Sequence, residues 1–593
     1  MRARAGLVAL AVMASACVSI GGDEPVDPGN PGTIDVPSGC REVPMHVSSE
    51  KMTLITALAG EFNATEPEID GECVAITVYR TASGRGAQLL AEGWPTDGSV
   101  GPEPVLWSPA SAAWGAVLNE RLAQAGQPAM ATDFERIMLT PLVLAMPQPM
   151  AEALGWPEAD IGWADVLELS KNPEGWGSVG HPEWGPFKLG KTNPNFSTSG
   201  LSATVAIYSA AAGTTEPLTL DTISRPDVIE FVKGVEAATV HYGDTTLTFL
   251  DNMLREDLRG RALSYASAVA VEEVSVIAYN RGDPADTGEA STPPNVPLVA
   301  IYPEEGTLFS DNPAFVLDAP WVDEIDRQAA EQFSAFVVED PENQARVLDF
   351  GFRPGNPSVA VGEPISRANG LDPSQPSTEL QVPEPAVLAA LVDSWEVNRK
   401  SARVIMLLDV SGSMGEFGGD GFTKLDLAKQ AVLSSLDQFK EEDEVGLWAF
   451  STRLNGDQDW IEVVPVGTLS ANRAEIESRT RGLLADGGTG LYDATSAAVT
   501  AIRDSFDPTR INAVILLSDG VCDDFDDGCN IEPLLTQLSS NERDPVRVFP
   551  VAYGDAADID ALTRIAEASQ ARLYQATDPR TIEAVFEQVV SNF

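Results

Sequence analysis

Six short apolar runs recur between Ser401 and Phe593: "VIMLLD", "EVGLWAFS", "IEVVPV", "NAVILLSD", "VRVFPVAY" and "ARLYQA", most of them separated by stretches of helical spacing. A run that is apolar on nearly every residue must be covered on both faces. Alternation of such runs with helices therefore predicts a mostly parallel sheet wrapped on two sides, an α/β unit of the doubly wound, Rossmann-like kind. The helix after the first run carries Leu425, Ala428, Val432, Leu436 and Phe439 at i, i+3, i+7, i+11 and i+14, one apolar stripe. In open sheets of this type ligands sit beyond the carboxyl ends of the strands. Asp409 and Asp519 both stand at such an end.

The first run leads into "DVSGS", so Asp409, Ser411 and Ser413 leave the strand together. Two later segments repeat the pattern of oxygen donors after a turn, "DGGTGLYDA" with Thr489 and "VILLSDG" with Asp519. Hard divalent cations take oxygen ligands, and hydroxyls supply them without adding charge. A site with only two carboxylates leaves the ion electron-poor and ready for one more carboxylate from outside. These three segments, in this order and strand context, resemble the metal-ion-dependent adhesion site of von Willebrand factor A (VWA) domains. The resemblance implies that Asp409, Ser411, Ser413, Thr489 and Asp519 hold Mg²⁺, or Mn²⁺ or Ca²⁺ in its place. It also implies that the ion binds an acidic residue of a protein partner. An aspartyl-phosphate hydrolase of the DxD type is rejected, because Ser411 stands where that chemistry needs a second aspartate. The acidic "DDFDDG" between Cys522 and Cys529 reads as a solvated rim, with calcium binding as the alternative.

At 593 residues the chain exceeds one core, and about three or four units are expected. With 38 basic against 89 acidic residues the net charge is −51, a field that repels phosphate backbones and excludes nucleic-acid partners. The three histidines, His46, His181 and His241, lie in unrelated contexts, so a zinc centre or a Ser-His-Asp hydrolase is hard to assemble and no enzyme is expected. Arg2 and Arg4, a short apolar stretch and "ASAC" make a targeting segment over residues 1–17. It resembles a bacterial lipobox, with Ala14 where leucine is usual, which implies a lipid on Cys17 and an extracytoplasmic protein anchored to the membrane by that lipid alone. Residues 18–39, rich in Gly, Pro and Asp, read as a flexible tether. Outside the cytoplasm the remaining cysteines fall into two near pairs, Cys40 with Cys73 and Cys522 with Cys529, expected as disulfides.

Residues 41–360 also alternate helical and apolar segments. "CVAITVYR", "PVLWSPAS", "LTPLVLAMPQ", "SVIAYN" and "PLVAIYP" read as strands, and "MTLITALAGEFNA" as a helix. "GPFKLGKT" satisfies the phosphate-loop pattern, yet Asn193-Pro194 interrupts the helix that such a loop requires, and the reading is refused. Hydroxyl-rich turns follow successive strands: Ser48 and Ser49, Ser83, Ser108, and Ser197, Thr198 and Ser199. Turns of this kind with free N–H groups seat a polar or anionic solute. Together with "TNPNFSTSG", "VIAYN", "NPAFVLDAPWV" and "LDFGFRP" they resemble the type 2 periplasmic solute-binding fold, two α/β lobes closing on a ligand. Residues 361–400 read as a linker and 401–593 as the VWA unit. The chain is expected to be a lipid-anchored binding protein with metal-dependent protein binding. The alternative is the receptor of an ABC transporter, with the VWA unit as a docking or stabilising module.

Overall fold

Strand Ala402–Asp409 is buried along nearly its whole length, and alternate residues feed two different apolar clusters. Val404, Met406 and Leu408 pack on one face of the sheet, Ile405 and Leu407 on the other. Strand Ile511–Ser518 divides in the same way, with Ala513, Ile515 and Leu517 on one face and Val514 and Leu516 on the other. Each aliphatic side chain so buried contributes about 1.5–3 kcal/mol, which is why the two pair at the centre. The six-stranded sheet runs in the order Gln458–Thr468, Glu444–Asn455, Ala402–Asp409, Ile511–Ser518, Arg547–Tyr553, Tyr574–Ala576. Only the first pair is antiparallel. The order 3-2-1-4-5-6 reverses direction between Ala402–Asp409 and Ile511–Ser518, which makes that edge the topological switch point. Helix Lys424–Ser435 begins with a capping box between Thr423 and Asp426 and lays Leu425, Ala428 and Val432 on the sheet.

The structure is a computed structural model that describes residue 34 and residues 36–593, apart from 97–99, 244, 289–291, 420, 525–528, 541–545 and 591. The targeting segment with Cys17, and most of the tether, lie outside the described residues.

The preceding part of the chain builds two further sheets. One runs in the order Glu68–Ile69, Glu72–Arg80, Arg41–Val47, Leu106–Ser108, Pro313–Val316, Phe134–Arg136. The other runs Leu298–Ile301, Met138–Pro147, Ala268–Glu272, Leu189–Thr192, Thr239–Gly243, with Phe309–Ser310 and Arg353–Pro354 also on Met138–Pro147. The chain passes from the first sheet to the second at residue 137 and returns between Ser310 and Pro313. A third crossing, between Val316 and Arg353, brings the short strand Arg353–Pro354 back to Met138–Pro147, and crossings of this sort give two lobes with a cleft between them. Cys40 is bonded to Cys73 in the first lobe, and Cys522 to Cys529 in the last unit.

One element departs from the sequence reading. "SVIAYN" lies inside helix Glu273–Arg281, while the neighbouring strand is the alanine-rich Ala268–Glu272. The helix is buried on most of its length, so Val276 and Ile277 fill a core position that their β propensity does not distinguish from a strand. The refused phosphate loop is likewise accounted for. Lys191 is fully buried on strand Leu189–Thr192 and paired with the buried Glu236.

Helix Pro385–Asn398 joins all of this together. Its Val387, Leu388 and Leu391 share one apolar cluster with Trp114, Leu118 and Leu122 on helix Ala113–Gln124 of the first lobe. The same cluster takes in Leu201, Val205 and Tyr208 on helix Thr198–Ala212 of the second. Tyr208 Oη and Ser394 Oγ are 2.7 Å apart. The last unit sits on the second lobe through the Tyr242 N–H to Asn592 carbonyl bond (3.0 Å), Lys400 Nζ to the Thr239 carbonyl (2.9 Å) and the Arg259–Glu567 pair (2.7 Å).

Candidate functional site

At the switch point, Asp409 closes its strand and Asp519 follows Ile511–Ser518, and both side chains are fully buried. The Ser411 N–H donates to Asp409 Oδ1 at 2.8 Å, and the Ser518 hydroxyl to Oδ2 at 2.7 Å. Burial pushes the Asp409 carboxyl up to about 6, against the bonds from Ser411 and Ser518, and the nearby Asp519 adds to the rise. Ser411 Oγ and Ser413 Oγ are 3.0 Å apart, and Ser413 donates to Asp519 Oδ1 at 2.7 Å. Thr489 completes the group. A Cβ on Gly520 would stand 3.1 Å from Thr489 Oγ1 and 3.8 Å from Ser413 Oγ, so these two hydroxyls face one small space from opposite loops. All five sequence-predicted positions therefore come together.

The loops are laced to one another. The Gly412 N–H reaches the Gly487 carbonyl (2.9 Å), the Asp486 N–H the Val410 carbonyl (2.8 Å) and the Thr452 N–H the Gly488 carbonyl (2.9 Å). Gly487 has φ +82 and a Cβ built on it would run into Ser451 Oγ, so a side chain there would be strained and would collide.

Two residues of the site were not singled out in the sequence. One is Ser518. The other is Lys424, in the first turn of helix Lys424–Ser435, whose Nζ lies 2.9 Å from Asp519 Oδ2 and 3.2 Å from Glu416. Burial works against its charge, but the bonds to Asp519 and Glu416 outweigh burial and raise the ammonium above its ordinary value. A positive charge thus already sits on one of the two carboxylates. Buried carboxylates and hydroxyls with no nitrogen or sulfur donor among them suit a hard divalent cation, and the donor set fits that group.

Residues 404–588 match the family model of the von Willebrand factor type A domain. The C-terminal unit is an A domain. Among solved structures the chain is similar to a von Willebrand factor type A protein from Catenulispora acidiphila. The two are 22% identical, with TM-score 0.27, over 32% of this chain and 42% of that one. It is also similar to proximal thread matrix protein 1 from the mussel byssus with a zinc-occupied MIDAS motif (16% identity, TM-score 0.26, 32% of this chain and 47% of that one). Over the two lobes it is similar to a periplasmic thiamin binding protein (12% identity, TM-score 0.40, 62% of this chain and 99% of that one). The chain thus spans less than half of the Catenulispora and mussel proteins. No curated protein matches it in sequence.

Beside the A-domain site, Asp459, Asp493 and Asp524 bring one carboxylate oxygen each within 4.8 Å of the others. Burial, and then Asp459 and Asp524, raise the Asp493 carboxyl above its ordinary value. Asp524 is the second residue of the acidic stretch in the Cys522–Cys529 loop, of which residues 525–528 lie outside the described residues.

The cleft between the lobes leaves a half-open space of about 30 Å³. Ser48, Ser49, Ser83, Ser197, Thr198 and Ser199 line it, together with Glu50 and Glu272. Ser108 does not line it; its Oγ is buried on strand Leu106–Ser108 without a hydrogen-bond partner among the described residues. Several of these hydroxyls are already engaged across or within the lobes. Thr198 Oγ1 accepts from Trp114 Nε1 (2.9 Å), Ser83 Oγ from the Ala110 N–H (3.0 Å) and Ser197 Oγ from Thr192 Oγ1 (2.8 Å), while Ser48 donates to Glu50. The Gly84 N–H meets the Phe196 carbonyl of the other lobe at 3.1 Å, an approach that any Cβ would block. Burial, joined by the Glu50 carboxylate, pushes Glu272 up to about 7 against the hydrogen bond from Ser199.

Proposed function

We propose that this chain is a non-enzymatic, extracytoplasmic binding protein whose A domain captures a protein partner through one divalent cation. Asp409, Ser411, Ser413, Thr489 and Asp519 would hold the ion, Mg²⁺ before Mn²⁺ or Ca²⁺. The observation that carries the reading is the convergence of two fully buried carboxylates and three hydroxyls, from three separate loops, at the switch point of the sheet. When bound, the ion supplies a Lewis-acidic position for an incoming carboxylate. The chain's own residues do the rest: the interlocked loops fix the hydroxyls, Asp409 orients the Ser411 backbone, and Ser518 fixes Asp409.

Two disulfides support a location outside the cytoplasm, and the lipid on Cys17 belongs to the same reading. The histidines support the absence of hydrolase chemistry. Burial lowers His46 and His241 to about 3, as neutral rings set in the two lobes and not beside the A-domain carboxylates. Residues 41–360 form the solute-binding-like module and 401–593 the partner-binding one.

The test is capture of envelope proteins on the full chain in Mg²⁺ or EDTA, alongside calorimetry with Mg²⁺ and Mn²⁺. Asp409→Ala is expected to keep the fold and lose both metal binding and EDTA-sensitive capture. Unchanged metal affinity in that folded variant would refute the site. Metal binding without EDTA-sensitive capture would leave the ion structural.

A further inference from the structure

We propose that the interlobe cavity holds one small cation, surrounded by the Glu50 and Glu272 carboxylates and by hydroxyls of the cleft. This rests on reading residues 41–360 as a ligand-binding module and is independent of the A-domain ion.

Size comes first. About 30 Å³ is room for two water-sized occupants at roughly 10–15 Å³ each, so a sugar or an aromatic ring is excluded while the lobes stand as they do. Charge comes second. Two carboxylates line the cavity, and among the described residues no lysine, arginine or histidine does. The neighbouring Lys51 turns its Nζ away, to the Pro109 carbonyl and Asn312 Oδ1, both at 2.9 Å. Two long helices, Thr198–Ala212 and Thr246–Leu258, begin at the cavity, and their N-termini favour negative charge. The fold already supplies that charge, because Ser199 in the first turn of the former donates to Glu272. An incoming anion would find this seat taken by the protein's own carboxylate and would face Glu50 as well.

The hydroxyls decide between an empty polar void and a ligand site. Ser49 and Thr246 are 5% and 6% exposed, line the cavity, and have no side-chain hydrogen-bond partner among the described residues. Neither oxygen is sealed from the cavity space, so both are available to a ligand there. A cation satisfies their lone pairs without needing a proton from either. The polar side chains lining the cavity offer oxygen alone, the preference of hard cations.

The test uses the full chain carrying Asp409→Asn, which takes a charged ligand from the A-domain site. It is titrated by calorimetry and thermal melting with CaCl₂, MgCl₂, KCl and NH₄Cl, with choline chloride as the ionic-strength control. One saturable site is expected for at least one of these salts. Glu272→Gln and Glu50→Gln should each weaken it about tenfold or more, and Thr246→Ala should weaken it less, all with unchanged circular dichroism. A divalent response makes the occupant a metal ion, and a response to ammonium alone makes it the head of a small amine. No saturable response to any of the four overturns the proposal. So does a response that neither glutamate substitution moves, or saturable binding of sulfate or phosphate instead. The A-domain ion is read separately in the chain with Asp409 intact, so failure in the cleft leaves that reading standing.

Discussion

Lys424→Met probes whether the A domain keeps a built-in placeholder for the proposed ion. The ammonium lies 2.9 Å from Asp519 Oδ2, its side chain is 7% exposed, and Asp519 is fully buried. Methionine preserves most of the stem and its packing while removing the charge. Breaking a buried pair by removing one partner costs about 3–5 kcal/mol. The lower end, about 3 kcal/mol, applies here because Ser413 still donates to the other oxygen of Asp519. A divalent ion arriving at Asp519 meets a like charge in a desolvated space, so Lys424 must yield for it to bind. If Lys424 contributes nothing once the ion is in place, the stability lost without metal reappears as affinity gained. At 1.36 kcal/mol per tenfold, about 3 kcal/mol corresponds to roughly a hundredfold tighter binding. Denaturant unfolding in EDTA should show the loss, and calorimetry with Mn²⁺ the gain. A folded variant that binds Mn²⁺ equally or more weakly would refute the placeholder reasoning.

The Asp409 carboxyl is raised from an ordinary 3.8 to about 6. Between those values the folded, metal-free chain holds a proton that the unfolded chain has released, so this group's contribution to stability falls as pH rises from 3.8 to about 6. Asp409→Asn should flatten that slope in denaturant titrations run in EDTA. Leu391→Ala, at a fully buried position on helix Pro385–Asn398, should cost about 3 kcal/mol in the same assay, with A-domain metal affinity unchanged.

The convergence of oxygen donors was legible for Asp409, Ser411, Ser413 and Asp519, which follow the ends of apolar runs where chain order alone brings a side chain to the sheet edge. Thr489 follows helix Leu469–Arg481 and a glycine-rich turn, and only the motif brought it in. Lys424 was not legible. A lysine at the start of an amphipathic helix reads as a solvated charge, and only the turn that lays this helix over the site brings its Nζ to Asp519. Ser518 was hidden for a related reason, as the last residue of a strand that is apolar from Ala513 to Leu517. In the cleft the hydroxyls drew notice by their recurrence after strands. Glu50 follows the Ser48–Ser49 pair and Glu272 stands at the end of Ala268–Glu272, but a single carboxylate carries no sequence signal that it faces a cleft. "SVIAYN" misled because a six-residue apolar run has no period long enough to separate helix from strand.

Helix Pro385–Asn398 also sets a timescale. In a two-lobed receptor that samples its surroundings, each round of exchange requires the lobes to part, and hinge motions of that kind run in microseconds to milliseconds. Here parting them means pulling Leu388 and Leu391 from Trp114 and Leu118 on one side or from Leu201 and Val205 on the other, and breaking the Trp114–Thr198 bond as well. Opening then belongs with local unfolding instead of hinge motion. A solute larger than the cavity enters only through that slow opening, whereas an occupant the size of a water molecule exchanges with the lobes closed.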